Sequence, residues 1–93
     1  MLENPMPDEQ TALRFPCAFP IKIMGRNVPG LSEELGALIC VHAPDFDPAM
    51  LQTRRSRHEN YLGLTATIQA QSREQLDALY RALCAHPLVK LVL

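Results

Sequence analysis

Two short motifs carry the residue types that most often bind a metal ion. Cys40-Val41-His42 and Cys84-Ala85-His86 each place a thiol two residues before an imidazole, shortly before a proline. Together they would supply the four ligands of a tetrahedral zinc site. Each motif is predicted at the end of a helix, however, and antiparallel helices place those ends on opposite sides of a domain. The prediction is no metal site, with each His at the negative end of a helix dipole and each Cys a small buried hydrophobe.

Residues that could carry out catalysis are scattered along the chain. Cys17 has no neighbouring histidine, and Asp45 and Asp47 flank an aromatic residue beside Pro48, which is typical of a turn. The sequence contains neither a phosphate-binding loop nor a dinucleotide fingerprint. We therefore predict no catalytic residue, no cofactor and a protein that is not an enzyme. The alternative is an enzyme whose histidine-based site has no familiar pattern.

A basic cluster is formed by Arg54, Arg55, Arg57 and His58. Such a cluster could bind phosphate, an acidic protein or RNA, or could simply be solvated. RNA-binding sheets stack bases on exposed aromatic side chains, and only Tyr61 is available here. The net charge of −1 and a pI near 6.3 also provide no general attraction for nucleic acid. Nucleic acid is disfavoured, and an acidic protein partner remains a hypothesis.

Length and composition indicate one small globular domain. The chain has 93 residues, and its hydrophobic fraction of 47% is that of a folded protein. The first ten residues lack the basic and apolar regions of a signal peptide, and no apolar run approaches the roughly 18 residues that would cross a bilayer. The three cysteines are an odd number. We expect a cytoplasmic protein with reduced thiols and no membrane association.

The elements that would position these residues follow from periodicity. Residues 1–14 show little periodicity and are predicted to be a mobile N-terminal tail, which leaves residues 15–93 as a single domain. Residues 15–24 alternate as a strand does. Pro20 is a difficulty, because a central strand needs its N–H. Either regular pairing starts near Ile21, or Pro20 lies at a bulge.

The middle of the chain predicts a helix and two strands. Pro29 is suited to the first turn of a helix and Pro44 to its end. The helix would bury one face, consisting of Leu31, Leu35, Leu38, Ile39 and His42. Residues 46–55 form a weaker pattern that suits an edge strand. Residues 56–60 form a polar hairpin connection to the clearest strand, residues 61–70.

The last third predicts a second helix and a final strand. Ser72 and Gln75 have the spacing of a capping box, which opens a helix. Pro87 ends that helix, whose apolar face would be Leu76, Leu79, Tyr80 and Leu83. Residues 88–93 are apolar and β-branched, and alternation would turn three of them inward: Val89, Leu91 and Leu93.

This order of elements predicts the fold class α+β, a βαββαβ sandwich. Two right-handed βαβ halves interleave into a four-stranded antiparallel sheet with both helices on one face. The other face would carry Lys22, Thr65, Thr67, Lys90 and Val92. That open face is too polar to be core and has few charges. We expect it to be an interface, and a homodimer is predicted.

The sequence resembles the YbeD family of small bacterial proteins over residues 15–93. The resemblance is carried by an ordered set: Phe15-Pro16, Phe19, Lys22, Met24-Gly25, His42-Ala43-Pro44, Asn60-Tyr61, Leu79-Tyr80, Leu83, Val89 and Val92-Leu93. It implies a ferredoxin-like fold similar to ACT domains, which bind amino acids and regulate metabolic enzymes. It also implies an association with genes of lipoate attachment.

The turn between the first strand and the first helix also resembles ACT domains. Many of them carry Asp or Asn, a variable residue and Pro-Gly-Leu here, and Asn27-Val28-Pro29-Gly30-Leu31 has that order. Free N–H groups at a helix start favour a carboxylate. We therefore predict a regulatory or adaptor module whose turn senses a small metabolite such as an amino acid, through Gly25, Arg26, Asn27, Gly30 and Leu31.

Two alternatives to this sensor hypothesis remain open. Asn, Pro and Gly are also the residues that any strand-to-helix turn uses. The alternative function is protein–protein interaction, through the open sheet face or through the basic hairpin at residues 54–58.

Overall fold

The fold is taken from a computed structural model that describes residues 14–55 and 60–93. Within these ranges the elements are β1 (Cys17–Arg26), α1 (Leu31–His42), a one-turn 3₁₀ helix (Pro48–Met50), β2 (Gln52–Arg55), β3 (Tyr61–Ala70), α2 (Arg73–Ala85) and β4 (Val89–Val92). The strands form one antiparallel sheet in the order β2-β3-β1-β4. The predicted α+β, ferredoxin-like βαββαβ fold is confirmed.

The core lies between the sheet and the two helices. β1 and β3 pair over ten residues each, and alternate residues of both strands turn towards the helices. The larger of the fully buried side chains come from both layers: Ile21, Leu64 and Ile68 from the sheet, and Leu31, Leu35, Ile39, Leu79 and Leu83 from the helices. Because only one face of the sheet is covered in this way, the opposite face is left to solvent.

Pro20 lies within the regular part of β1, so neither predicted accommodation is correct. It pairs with Thr67 in an unbroken register with β3. The amide of Lys22 donates to Leu93 O on the β4 side, and the strand period of two turns the nitrogen of Pro20 the same way. Pairing with β4 does not extend beyond Lys22. The missing N–H of Pro20 therefore costs no ladder hydrogen bond.

The predicted inward face of the last strand is correct for Val89 and wrong for Leu91 and Leu93. Val89 pairs with Gly25, whereas Leu91 pairs with Met24, so Lys90 is an extra residue at a β-bulge. A bulge reverses the alternation of all residues beyond it. As a result Leu91 and Leu93 face solvent, and Val92, expected on the open face, packs against the core opposite Ile23.

The two helices are antiparallel and are connected at both ends. Gln75 Nε2, in the first turn of α2, donates to His42 O at the end of α1 over 2.8 Å. At the opposite end, His86 Nε2 lies 2.9 Å from Glu34 Oε2 in the first turn of α1. The Cys40–His42 and Cys84–His86 pairs are thus on opposite sides of the domain, as the topology predicted.

The edge strand is shorter than predicted. The sequence indicated a strand over residues 46–55, but regular pairing covers only Gln52–Arg55. The preceding residues form the 3₁₀ helix, because Pro48 fits its first turn and Asp47 Oδ1 caps it by accepting from Ala49 N at 3.0 Å. Most of the predicted hairpin connection, residues 56–59, lies outside the described residues.

Candidate functional site

The open sheet face carries an apolar groove. Its floor includes Met24 from β1 and Leu91 and Leu93 from the β4 segment, which are 39%, 48% and 67% exposed. These side chains share one face because the bulge at Lys90 turns Leu91 towards the side of Met24. The groove has a volume of about 580 Å³. Adjacent exposed side chains of this size are typical of an interaction surface rather than of random exposure.

The groove is bordered by positive charge. Lys22 and Arg54 lie along it, one on β1 and the other on the edge strand β2. Among the described residues that line this groove, none is acidic. We call this region, defined by Lys22, Met24, Arg54, Leu91 and Leu93, the basic groove.

A second depression on the same face has the opposite charge. It lies beside Thr67 and Gln69 of β3 and is bordered by Asp45, Asp47 and the exposed Met50. β2 pairs only with residues 62–65 of β3. The segment between α1 and β2 therefore lies beside the remaining part of β3, at Thr67 and Gln69. We call Asp45 and Asp47 the acidic corner. The open face therefore has a positive end and a negative end.

The predicted basic hairpin does not form one patch within the described residues. Arg54 pairs with Gly63 and faces the open side, whereas Arg55 pairs with Leu62 and faces the helix side. Consecutive strand residues point to opposite faces, so the two guanidinium groups diverge. Arg57 and His58 lie outside the described residues. The partner-binding role of this cluster stays a prediction.

The predicted sensor turn divides into buried and exposed residues. Gly25 and Leu31 are buried, and a Cβ at Gly25 would lie 3.0 Å from Leu88 O and 3.2 Å from Leu31 Cδ2. Their identities are therefore explained by packing. Arg26, Asn27 and Gly30 are exposed, and only these could reach a ligand with their side chains or backbone.

The start of α1 is less suited to a carboxylate than the sequence indicates. The helix begins two residues later than Pro29, after Gly30, whose φ of 88° requires the left-handed conformation that glycine tolerates. Glu33 and Glu34 occupy the first turn and already place negative charge there. A shallow depression does exist beside the turn, lined by Arg26, Asn27, Val28, Asn60 and Tyr61.

The candidate metal and redox residues remain apart. Within residues 14–55 and 60–93 there is no group of three His, Cys, Asp or Glu that could hold a metal ion. Cys40 Sγ donates to Phe46 O over 3.3 Å, and the described cysteines are free thiols. His86 accepts from Leu88 N–H through Nδ1 at 3.1 Å, which leaves Nε2 to donate to Glu34. These contacts account for Cys40 and His86. Cys84 is exposed, so its predicted role as a buried hydrophobe is wrong.

The Tyr80 phenol is half-buried between α2 and the end of the β4 segment. Burial raises the pKa of the Tyr80 phenol above its ordinary value of 10.0, and the electrostatic interaction with Cys84 raises it further. Its hydroxyl donates to Leu93 O at 3.1 Å. Tyr80 therefore connects α2 to the end of the β4 segment as a neutral hydrogen-bond donor.

Leu91 and Leu93 are the surface residues that sequence reasoning missed. Residues 88–93 are almost uniformly apolar, so their composition does not show which of them face the core and which face solvent. The available signal was Gly25, since a glycine inside a strand often marks a bulge or a close backbone approach.

Fold and surface together define the class: a small α+β domain with a half-covered sheet. None of the described helices combines the length and the apolar character that crossing a bilayer requires. The open face is the distinctive surface of the described residues.

The chain belongs to the family described as Protein of unknown function (DUF493), which matches residues 10–93. It is similar to UPF0250 proteins of Leptothrix cholodnii and Bordetella pertussis, with 50% and 48% identity over 88 residues, covering 95% of this chain and 97% of each relative. A UPF0250 protein of Nitrosomonas europaea is 48% identical over 85 residues, or 91% of this chain and 98% of that protein. The predicted membership of a YbeD-like family of small bacterial proteins is confirmed.

Proposed function

We propose that this domain is a non-enzymatic regulatory or adaptor module that binds protein through its open sheet face. The observation that carries the proposal is the exposure of Met24, Leu91 and Leu93 side by side in the basic groove. Leaving large apolar side chains in water is unfavourable by roughly 25 cal/mol for each Å². A partner that covers the groove would recover this free energy.

The position and charge of the groove favour a protein partner. The groove lies on the exposed sheet face and is lined by residues of all four strands. Arg54 lies on the edge strand β2, and Lys22 lies on the central strand β1 between Leu93 and Thr65. Such charges steer association and fix orientation, while Met24, Leu91 and Leu93 lie together on the β1–β4 side of the groove.

Site-specific photo-crosslinking in bacterial cells tests the proposal. Leu91→benzoylphenylalanine places the photoreactive group in the groove, and we expect covalent adducts with protein after irradiation. Val41→benzoylphenylalanine is the matched control, because Val41 is 73% exposed on α1, on the other side of the sheet. Equal adduct formation at both positions, or none at position 91, would contradict the proposal.

A second candidate function is metabolite sensing at the turn after β1. It is favoured by the depression in which exposed Arg26 and Asn27 lie beside Tyr61. A ligand at about 100 times its dissociation constant stabilises a protein by roughly 2.7 kcal/mol. A thermal-shift screen against amino acids would detect such a ligand. Loss of the shift in Arg26→Ala and Asn27→Ala, but not in Arg81→Ala on α2, would locate the site at this turn.

A further inference from the structure

We infer that the open sheet face is covered by a second copy of this chain, with the strands of the two sheets antiparallel. This inference rests on the proposed function, because the surface is the same, and it names the partner. The two-fold axis would lie midway between the two sheets and perpendicular to the strands. It would cross the strands at a level between Thr65 and Thr67. That position is the middle of β3, so the overlap of the two faces is greatest there.

The strand register determines which residues would meet. An axis that crosses the strands at this level exchanges the two ends of the face, so the level of Gly63 in one copy faces the level of Gln69 in the other. Arg54 is paired with Gly63. The acidic corner lies beside Gln69, on the same β2 side of the sheet. Arg54 of each copy therefore faces Asp45 and Asp47 of the other.

The pairing of Arg54 with the acidic corner occurs twice, because a two-fold interface repeats every contact. A two-fold axis parallel to the strands would instead keep the ends aligned and exchange the sheet edges. Arg54 would then face the apolar β4 side, and the acidic corner would have no basic counterpart. Like charges across an interface oppose association, and opposite charges fix its orientation. The charge distribution therefore selects the antiparallel arrangement.

The apolar residues match in the same arrangement. Met24 pairs with Gly63 and Ala18 pairs with Gln69, so Met24 of one copy faces Ala18 of the other. Leu93 exchanges hydrogen bonds with Lys22, which is at the level of Thr65. On the β4 side it would face the level of Thr67, where β1 is the edge strand, so it lies one strand spacing outside Pro20 of the other copy. Met24 thus meets a small apolar side chain directly, and Leu93 reaches one only across the edge of β1.

The size of the face suits a small interface and hence a weak dimer. Strands rise about 3.3 Å per residue and lie about 4.8 Å apart, so two ten-residue and two four-residue strands give a flat area on the order of 450 Å². A standard interface buries about 800 Å² on each partner, so we expect a dimer that forms and dissociates with protein concentration. Sheets that pack face to face lie about 10 Å apart, which leaves room for one layer of side chains from each copy.

Sedimentation equilibrium of the full chain over a range of concentrations tests the inference. We expect dimers at low salt and at least a tenfold higher dissociation constant for Arg54→Glu. The matched control is Arg81→Glu, which makes the same charge change at an exposed position on α2 and should leave the dissociation constant unchanged. Circular dichroism establishes that each variant is folded.

A charge exchange distinguishes the proposed orientation from any other. Asp45→Arg alone should also weaken the dimer, while Arg54→Glu combined with Asp45→Arg should recover most of the lost affinity. Asp45 is chosen instead of Asp47, which caps the 3₁₀ helix. Failure of the double variant to recover would overturn the antiparallel arrangement. Leu91→Glu provides an independent test, because it should abolish the dimer through the apolar part of the face.

Failure of the inference differs from failure of the proposed function. A wild-type chain that remains monomeric at all concentrations would overturn the second copy as the occupant. If position 91 still gives crosslinks to a different protein in cells, the adaptor function stands with another partner. If neither dimers nor crosslinks form, both fail.

Discussion

Gly25 allows three segments to approach one another at the end of β1. A Cβ at this position would lie 3.0 Å from the backbone oxygen of Leu88 and 3.2 Å from Leu31 Cδ2. We expect Gly25→Ala to lower the free energy of unfolding by about 1–3 kcal/mol, because the backbone of Leu88 must move to relieve the overlap. Urea denaturation measures this change.

Gly63→Ala is the control for that prediction. Gly63 also lies in a strand, but its Cβ would be 3.4 Å from the nearest atom, Arg54 O, which is an ordinary contact. The alanine should therefore change the free energy of unfolding by less than about 1 kcal/mol. If both variants lose similar stability, the explanation by close approach is wrong.

The raised pKa of Tyr80 leads us to expect a loss of folding stability at high pH. The pKa of its phenol is raised in the folded state by burial and by Cys84, so the unfolded state releases this proton first. The contribution is fully present below the unfolded pKa of 10.0 and is lost as pH rises from there through the folded value. Tyr80→Phe should flatten the decline of the unfolding free energy above pH 10, measured by urea denaturation at several pH values. An unchanged slope would assign the decline to other groups.

Gln75 connects α2 to α1 in addition to its part in capping α2. Its backbone N–H donates to Ser72 Oγ, its side-chain oxygen accepts from Gln71 N–H, and its Nε2 donates to His42 O. Gln75→Glu keeps the acceptor at the start of α2 but removes the donor to α1. We expect a loss of about 1–2 kcal/mol in the free energy of unfolding, because His42 O is left without this hydrogen bond.

The matched variant for that experiment is Glu74→Gln, one position earlier in the first turn of α2 and exposed. It removes a negative charge from the first turn without affecting α1, so it should lose only the helix-dipole contribution of a few tenths of a kcal/mol. Gln75→Glu adds a negative charge at the same turn, which the helix dipole favours. An unchanged or raised stability of Gln75→Glu would therefore contradict the importance of the connection to His42.

Elements with strong alternation were predicted well from sequence, and elements without it were not. β3 was predicted over residues 61–70 and is observed as Tyr61–Ala70, since its apolar and polar residues alternate throughout. The last strand was predicted, but its facing was reversed by the bulge at Lys90. A bulge depends on the pairing partner, and Lys90 lies opposite Met24 and Gly25, far away in sequence. Local composition therefore does not reveal it.

The same limit applies to the candidate surface. The sequence indicated an open face and an interface there, but it placed Leu91 and Leu93 in the core and Val92 outside. The acidic corner was interpreted only as turn residues, because nothing local places Asp45 and Asp47 beside Thr67 and Gln69. Charge complementarity between the two ends of the face appears only once the strand register is known.

At the scale of the whole molecule, dimerisation should make thermal stability depend on concentration. Anything that binds the folded state raises its stability by mass action, and a second copy does so in proportion to the logarithm of protein concentration. For a domain of this size, a tenfold increase in concentration should raise the unfolding midpoint by about 3–6 °C. Differential scanning fluorimetry measures the shift.

Leu91→Glu is the comparison for the concentration series. It should be monomeric, so its unfolding midpoint should not change with protein concentration. Added salt should also lower the midpoint of the wild-type chain more than that of this variant, because the paired charges of Arg54 and the acidic corner are screened. A wild-type midpoint that is independent of concentration would contradict the dimer.

The pairing of β1 with β4 also governs how the domain folds. Lys22 and Leu93 exchange backbone hydrogen bonds, which closes nearly the whole domain into one loop. Contacts at such long sequence separation are formed against a large loss of chain entropy, and folding is slower when they dominate. During synthesis, the part of β1 that pairs with β4 keeps this edge unpaired until residues 89–92 have left the ribosome. Over that interval the edge is open to strands of other chains, and a chaperone bound there would protect it.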